Sequence, residues 1–146
     1  MTSFGRWQYT CDRAATAAAY ARAAVGYTES CSCNGCRNFV AARENAFPPS
    51  FVELLSVLGI DPSKDAEIYH TAQMSPGKHL YGGWFHFVGS LDATGDFPPV
   101  VMGEGFTAWM CSGANLCLDE LRNLPLVQLE FSAYAVPWCL NEEEAE

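Results

Sequence analysis

Residues 30–39 read SCSCNGCRNF, which places Cys31, Cys33 and Cys36 within six positions. Thiolates this close together are a donor set for a thiophilic metal. Zinc takes four tetrahedral ligands and prefers sulfur and imidazole nitrogen. Cys33-x-x-Cys36 has knuckle spacing, and Cys31 is near enough to join. The fourth ligand must come from elsewhere in the chain, from His86, His70, His79, Cys11 or a more distant cysteine. His86 is the expected one, because it lies inside an aromatic, strand-like stretch, although a histidine so placed is more often a core residue than a ligand. The expected metal set is therefore Cys31, Cys33, Cys36 and His86, with zinc as the cofactor. No second CxxC and no HxxxH completes the pattern.

Two other chemistries fit the same residues. A CxxC ahead of a helix can act as a redox pair, since the helix N-terminus stabilises a thiolate. The strand-and-crossover context of a thioredoxin-like motif is missing here. Alternatively the cysteines are small buried hydrophobes. Cys36 shares a helix face with Phe39 and Val40 at i+3 and i+4, and Cys111, Cys117 and Cys139 also have apolar neighbours in sequence.

Outside the cluster, chemistry is sparse. No G-x-S-x-G, H-E-x-x-H or P-loop pattern occurs, which removes the commonest hydrolase and nucleotide sites. Glu130 would need a second carboxylate or a histidine to work as a general acid, and no catalytic residue is assigned. The reading is a small soluble binding or interaction module with a cysteine cluster holding a structural zinc. The alternative is a small cysteine-dependent enzyme, zinc-assisted or thiol redox.

The elements that must position these residues are legible in part. Ala14 to Val25 favours helix by propensity, with Gly26 as its stop. Arg37 to Asn45 reads as helix, beginning near Asn34. Ser50-Phe51-Val52-Glu53 matches a capping box, and Phe51, Leu54, Leu55 and Leu58 follow on one face. Gly59 and Asp61-Pro62 end that helix. Arg6 to Cys11, Glu67 to Thr71, Gly77 to Gly89, Val100 to Met102 and Phe106 to Met110 read as strands. A short helix is expected around Leu118 to Arg122. In the final strand Val127, Leu129, Phe131 and Ala133 alternate with polar positions. Helices first and strands after give α+β, two or three helices on a mainly antiparallel sheet.

The 146 residues suit a single domain spanning 1–146. Apolar residues make up 49% of the chain and charged ones 17%, enough core material to fold. Net charge is −9, and four glutamates sit in a tail from about residue 141 that is expected to fray into solvent. The basic residues are scattered, so neither nucleic acid nor an anionic membrane is an expected partner; a protein or small molecule is. Arg6, Asp12 and Arg13 interrupt the N-terminus, so no signal peptide is read and a cytoplasmic, reducing location is expected. Seven cysteines cannot all pair within one chain.

The succession CSCNGCRNF, FPPSFVELLSVLGIDPSK, YGGWFHFVGSL and VQLEF with a closing VPW resembles a family of bacterial hypothetical proteins with the pattern CxCxxCxNF, GIDP, GWxHFVG and PW. It covers Tyr27 to Trp138. The resemblance implies a shared single domain and no catalytic residues.

Overall fold

The last strand shows how the chain organises its core. Val127, Leu129, Phe131 and Ala133 are all buried, while Glu130 and Ser132 between them are partly exposed. That period-two alternation needs one covered face and one more open face. The computed structural model, which describes residues 1–92 and 95–146, supplies both. Its strands are β1 (Thr2–Phe4), β2 (Trp7–Cys11), β3 (Glu67–Ser75), β4 (Lys78–Leu91), β5 (Val100–Gly103), β6 (Phe106–Ser112) and β7 (Leu126–Pro137). They form one sheet in the order β1-β2-β4-β7-β6-β5, with β3 also paired to β4. Every ladder among the described residues is antiparallel.

Three helices of ten or more residues accompany the sheet: α1 (Arg13–Arg22), α3 (Asn34–Ala46) and α4 (Pro49–Leu58). A single turn, α2 (Tyr27–Ser30), precedes α3. The fold is α+β in one domain, as expected. Phe39, Phe47 and Phe51 on the helical side meet Phe85, Phe106 and Phe131 of the sheet, with ring centroids 4.8–6.4 Å apart where they touch. Offset and edge-on arrangements of this kind are favoured by the ring quadrupoles. No helix among the described residues is long and apolar enough to cross a membrane.

β4 is the organising strand. One of its edges pairs with β7 over most of its length. The other edge is shared, with β3 along Lys78–Trp84 and β2 along Gly89–Leu91. Between them the backbone of His86 and Val88 has no strand neighbour, and α1 fills the gap with side chains. The Tyr20 hydroxyl donates to the His86 carbonyl at 2.7 Å and accepts from its N–H at 3.3 Å. Thr16 Oγ1 accepts from Val88 N–H at 3.0 Å while donating to the Asp12 carbonyl. Buried backbone groups must be paired, and here helix side chains take the role of a missing strand. Burial pushes the Tyr20 phenol well above its usual range, so it stays protonated.

Several element boundaries differ from the sequence reading. The capping box at Ser50 does not form. Pro48 is the N-cap, Pro49 opens the helix, and Ser50 Oγ donates to the Met102 carbonyl on β5 instead. Proline at N1 is preset for helix and has no N–H to satisfy. Gly59 does end α4, in the left-handed conformation (φ +83°). Gly26 does not stop α1, which ends at Arg22; it is the N-cap of α2. The expected short helix at 118–122 is a 3-10 turn at Asp119–Leu121. β1, turning back on β2, has no counterpart in the sequence reading.

Candidate metal centre

Cys31 is the C-cap of α2 and Cys33 the N-cap of α3. Cys36 lies in the first turn of α3 and is buried. The corner between two helices thus gathers the three sulfurs, and these atoms all lie within 4.8 Å of one another. Cys31 Sγ is 3.3 Å from Cys33 Sγ. A tetrahedral zinc with Zn–S bonds of about 2.3 Å needs sulfurs about 3.8 Å apart, so small adjustments suffice.

Two neighbours hold the corner. Asp65, at the approach to β3, accepts from Thr28 N–H at 3.2 Å and from Thr28 Oγ1 at 2.7 Å, capping α2 from outside. Arg43, two turns along α3, donates to Glu29 of α2 at 3.1 Å. Asp65 is buried with one carboxylate oxygen unpartnered, and desolvation pushes its carboxyl up despite the Thr28 hydroxyl.

The electrostatics of the three thiols are unequal. Partial burial pushes the Cys33 thiol up. The Cys36 N–H, the Cys31 and Cys36 thiols and the Gly35 N–H more than offset this and hold it below its usual value. Cys36, deeper and flanked by the other two sulfurs, is pushed well up by burial and by that company. Cys33 is exposed and its Sγ accepts the Cys36 N–H at 3.3 Å. This is the thiolate end of the set, as a helix N-terminus favours. Arg37 beside it donates Nε to the Ser32 carbonyl at 3.0 Å and holds Glu142 through both terminal nitrogens at 2.9 and 3.0 Å.

His86, the expected fourth ligand, is not part of the sulfur group. It is buried in β4 on the face opposite Phe85 and Phe87. Its Nε2 is 3.0 Å from Gln128 Oε1, which also accepts the Asn115 N–H at 3.2 Å. The amide oxygen can only accept, so Nε2 carries the proton and Nδ1 is the bare nitrogen, buried without a partner. Burial holds the imidazole below its usual pKa despite Gln128. His86 is a neutral core histidine in a network that continues from Gln128 to Glu130. Cys11, with its Sγ 3.5 Å from the Leu58 carbonyl, also lies outside the group.

His70, in β3, lies against Gly35 in the first turn of α3, outside the sulfur group. A Cβ placed on Gly35, between Cys33 and Cys36, would stand 3.3 Å from His70 Cβ and 3.9 Å from its Cγ. Tyr81, paired with His70 across the ladder, donates its hydroxyl to the Gly35 carbonyl at 2.7 Å. Behind His70 stands His79, with His70 Nε2 2.8 Å from His79 Nδ1. Behind His79 stands Glu144, 2.9 Å from its Nε2 and also accepting the Gly77 N–H at 2.8 Å. The acidic tail beyond residue 141 has no helix or strand, yet Glu142 and Glu144 are held by Arg37, His79 and Gly77. No sequence signal linked Glu144 to His79, because 65 residues separate them.

No family model, no curated protein and no solved structure matches the chain.

Proposed function

We propose that the chain is a small binding module whose α2–α3 corner is fastened by a thiophilic metal ion, zinc by preference, on Cys31, Cys33 and Cys36. The observation that carries this reading is the convergence of three sulfurs within 4.8 Å at one helix corner. One of them already accepts hydrogen bonds from the Cys31 thiol and the Cys36 N–H, as a thiolate would. Soft thiolates select zinc over magnesium or calcium. The metal would tie a single-turn helix, which has little stability of its own, to the thirteen-residue α3. The partner of such a module is a protein or a small molecule, and the resemblance to a bacterial family with the same motif order stays part of the proposal.

Metal analysis of the purified chain tests the reading. Wild type should carry one zinc per chain, and Cys33→Ser should lose it. Metal-free wild type, as stable as Cys33→Ser, would sink the reading.

One observation favours a second reading, thiol–disulfide exchange: Cys33 is exposed, and its thiol is held below its usual value. Cys33 thiolate would attack a substrate disulfide and release one substrate thiolate. Cys31 or Cys36 would then displace the second, leaving a protein disulfide and a substrate reduced by two electrons. Alkylation of Cys33 at neutral pH no faster than that of Cys139 would remove this reading.

A further inference from the structure

A three-sulfur site leaves one tetrahedral vertex open, and the three histidines differ sharply in their fitness for it. His86 is turned into the far face of the sheet. His79 is fully buried, with both ring nitrogens engaged. His70 lies against Gly35, at the base of the cysteine corner, and only its Nε2 is engaged among the described residues.

The hydrogen-bond chain behind His70 decides which nitrogen is free. Glu144 is held below the usual carboxylate range by the His79 and Gly77 hydrogen bonds, and an ionised carboxylate can only accept. His79 Nε2 therefore carries a proton. His79 Nδ1 and His70 Nε2 engage each other at 2.8 Å. His70 is left with Nδ1 as its unengaged ring nitrogen among the described residues. Burial and the neighbouring His79 both disfavour its charged form. A neutral imidazole whose other nitrogen donates into a chain ending on a carboxylate is how proteins orient metal-ligating histidines.

We propose that His70 Nδ1 is the fourth ligand to the metal held by Cys31, Cys33 and Cys36, with His79 and Glu144 as the positioning residues behind it. The proposal rests on the three-cysteine metal reading and completes it. Three local features serve it. Gly35 has no Cβ to keep β3 away from α3. Tyr81 ties the Gly35 carbonyl to the strand that carries His79 and stacks edge-on against His70 at 5.2 Å. The β3–β4 register shifts between His70 and Ala72, an irregularity that re-aims a side chain. His70 stands outside the 4.8 Å sulfur group, so metal binding draws its ring and the corner together. The tail then acts from a distance, since Glu144 holds His79 and His79 holds the His70 ring.

The test is X-ray absorption at the zinc edge and the visible spectrum of the cobalt(II)-substituted full chain, with zinc affinity by competition against a chelator. Wild type should fit three sulfurs and one imidazole nitrogen. His70→Ala should lose the imidazole contribution and at least about tenfold in affinity. Glu144→Ala should keep it and lose about 10–100-fold. His70→Gln, which keeps a polar side chain of similar size beside Tyr81, separates ligation from folding and should also lose the imidazole. Cys139→Ser should change nothing. An S4 spectrum that Cys139→Ser abolishes, or a spectrum unchanged in His70→Ala, would overturn this assignment while leaving the three-cysteine reading intact. Wild type that binds neither zinc nor cobalt would overturn both.

Discussion

At the scale of single residues, the cluster is a case of unequal neighbours. Cys33 is stabilised as a thiolate by donors from its own helix, whereas Cys36 is buried and resists ionisation. Asp65 makes a separable prediction. Its carboxyl is raised by burial, so the folded chain binds that proton more tightly than the unfolded one. Stability from this group is present below the unfolded value of about 3.9 and declines as pH rises toward the raised folded value. Asp65→Asn keeps an acceptor for Thr28 and removes the titration. Unfolding free energies of wild type and Asp65→Asn, measured against pH, should show wild type losing ground to the variant as pH rises through that window. A difference independent of pH would contradict the assignment; Arg43, the charged group whose field favours ionisation, is unchanged in both. Spacing alone made the three cysteines legible. The aromatic, strand-like stretch around His86 pointed to that residue for the fourth position. What sequence cannot state is that His86 faces away from α3, while His70, in a shorter and irregular strand, lies against Gly35.

At the scale of elements, α1 is more than a cover for the sheet. Tyr20 and Thr16 complete the edge of β4 where β3 has ended and β2 has not begun. Tyr20→Phe keeps the ring and removes both bonds to His86, leaving a buried N–H and carbonyl orphaned. A loss of about 1–3 kcal/mol is expected, read as a lower urea midpoint with an unchanged denaturant slope. A change below about 0.5 kcal/mol would mean that water replaces the hydroxyl. The elements themselves were largely readable, because β7 alternates cleanly and α4 carries its apolar stripe. Apart from β1 and the single-turn α2, which the sequence reading lacked, the differences lie at element ends. Ser50 has the capping-box pattern, but a preceding Pro-Pro pair starts the helix first, and β5 offers the serine a carbonyl. Gly26 has the composition of a stop, yet the chain uses it to begin α2.

At the scale of the whole molecule, residues far apart in sequence meet at the cysteine corner. α2, α3, β3, β4 and the acidic tail all contribute, through Glu29 to Arg43, Gly35 to His70, Tyr81 to Gly35, and Glu142 to Arg37. The α+β class follows from element order alone. The pairing of the tail with Arg37 and His79 does not, since a run of glutamates reads the same whether solvated or docked. On the proposed metal reading, the native chain binds zinc at this corner and the unfolded chain does not. A ligand that binds only the folded state stabilises it by about 2.7 kcal/mol at a hundred times its dissociation constant. For a chain near 150 residues this is roughly 5–10 °C in the thermal midpoint. The direct measurement is that midpoint against buffered free zinc, for wild type and for Cys31→Ser/Cys33→Ser/Cys36→Ser. The midpoint should climb with zinc in wild type and stay flat in the triple variant; a wild-type midpoint indifferent to zinc would contradict the proposed site.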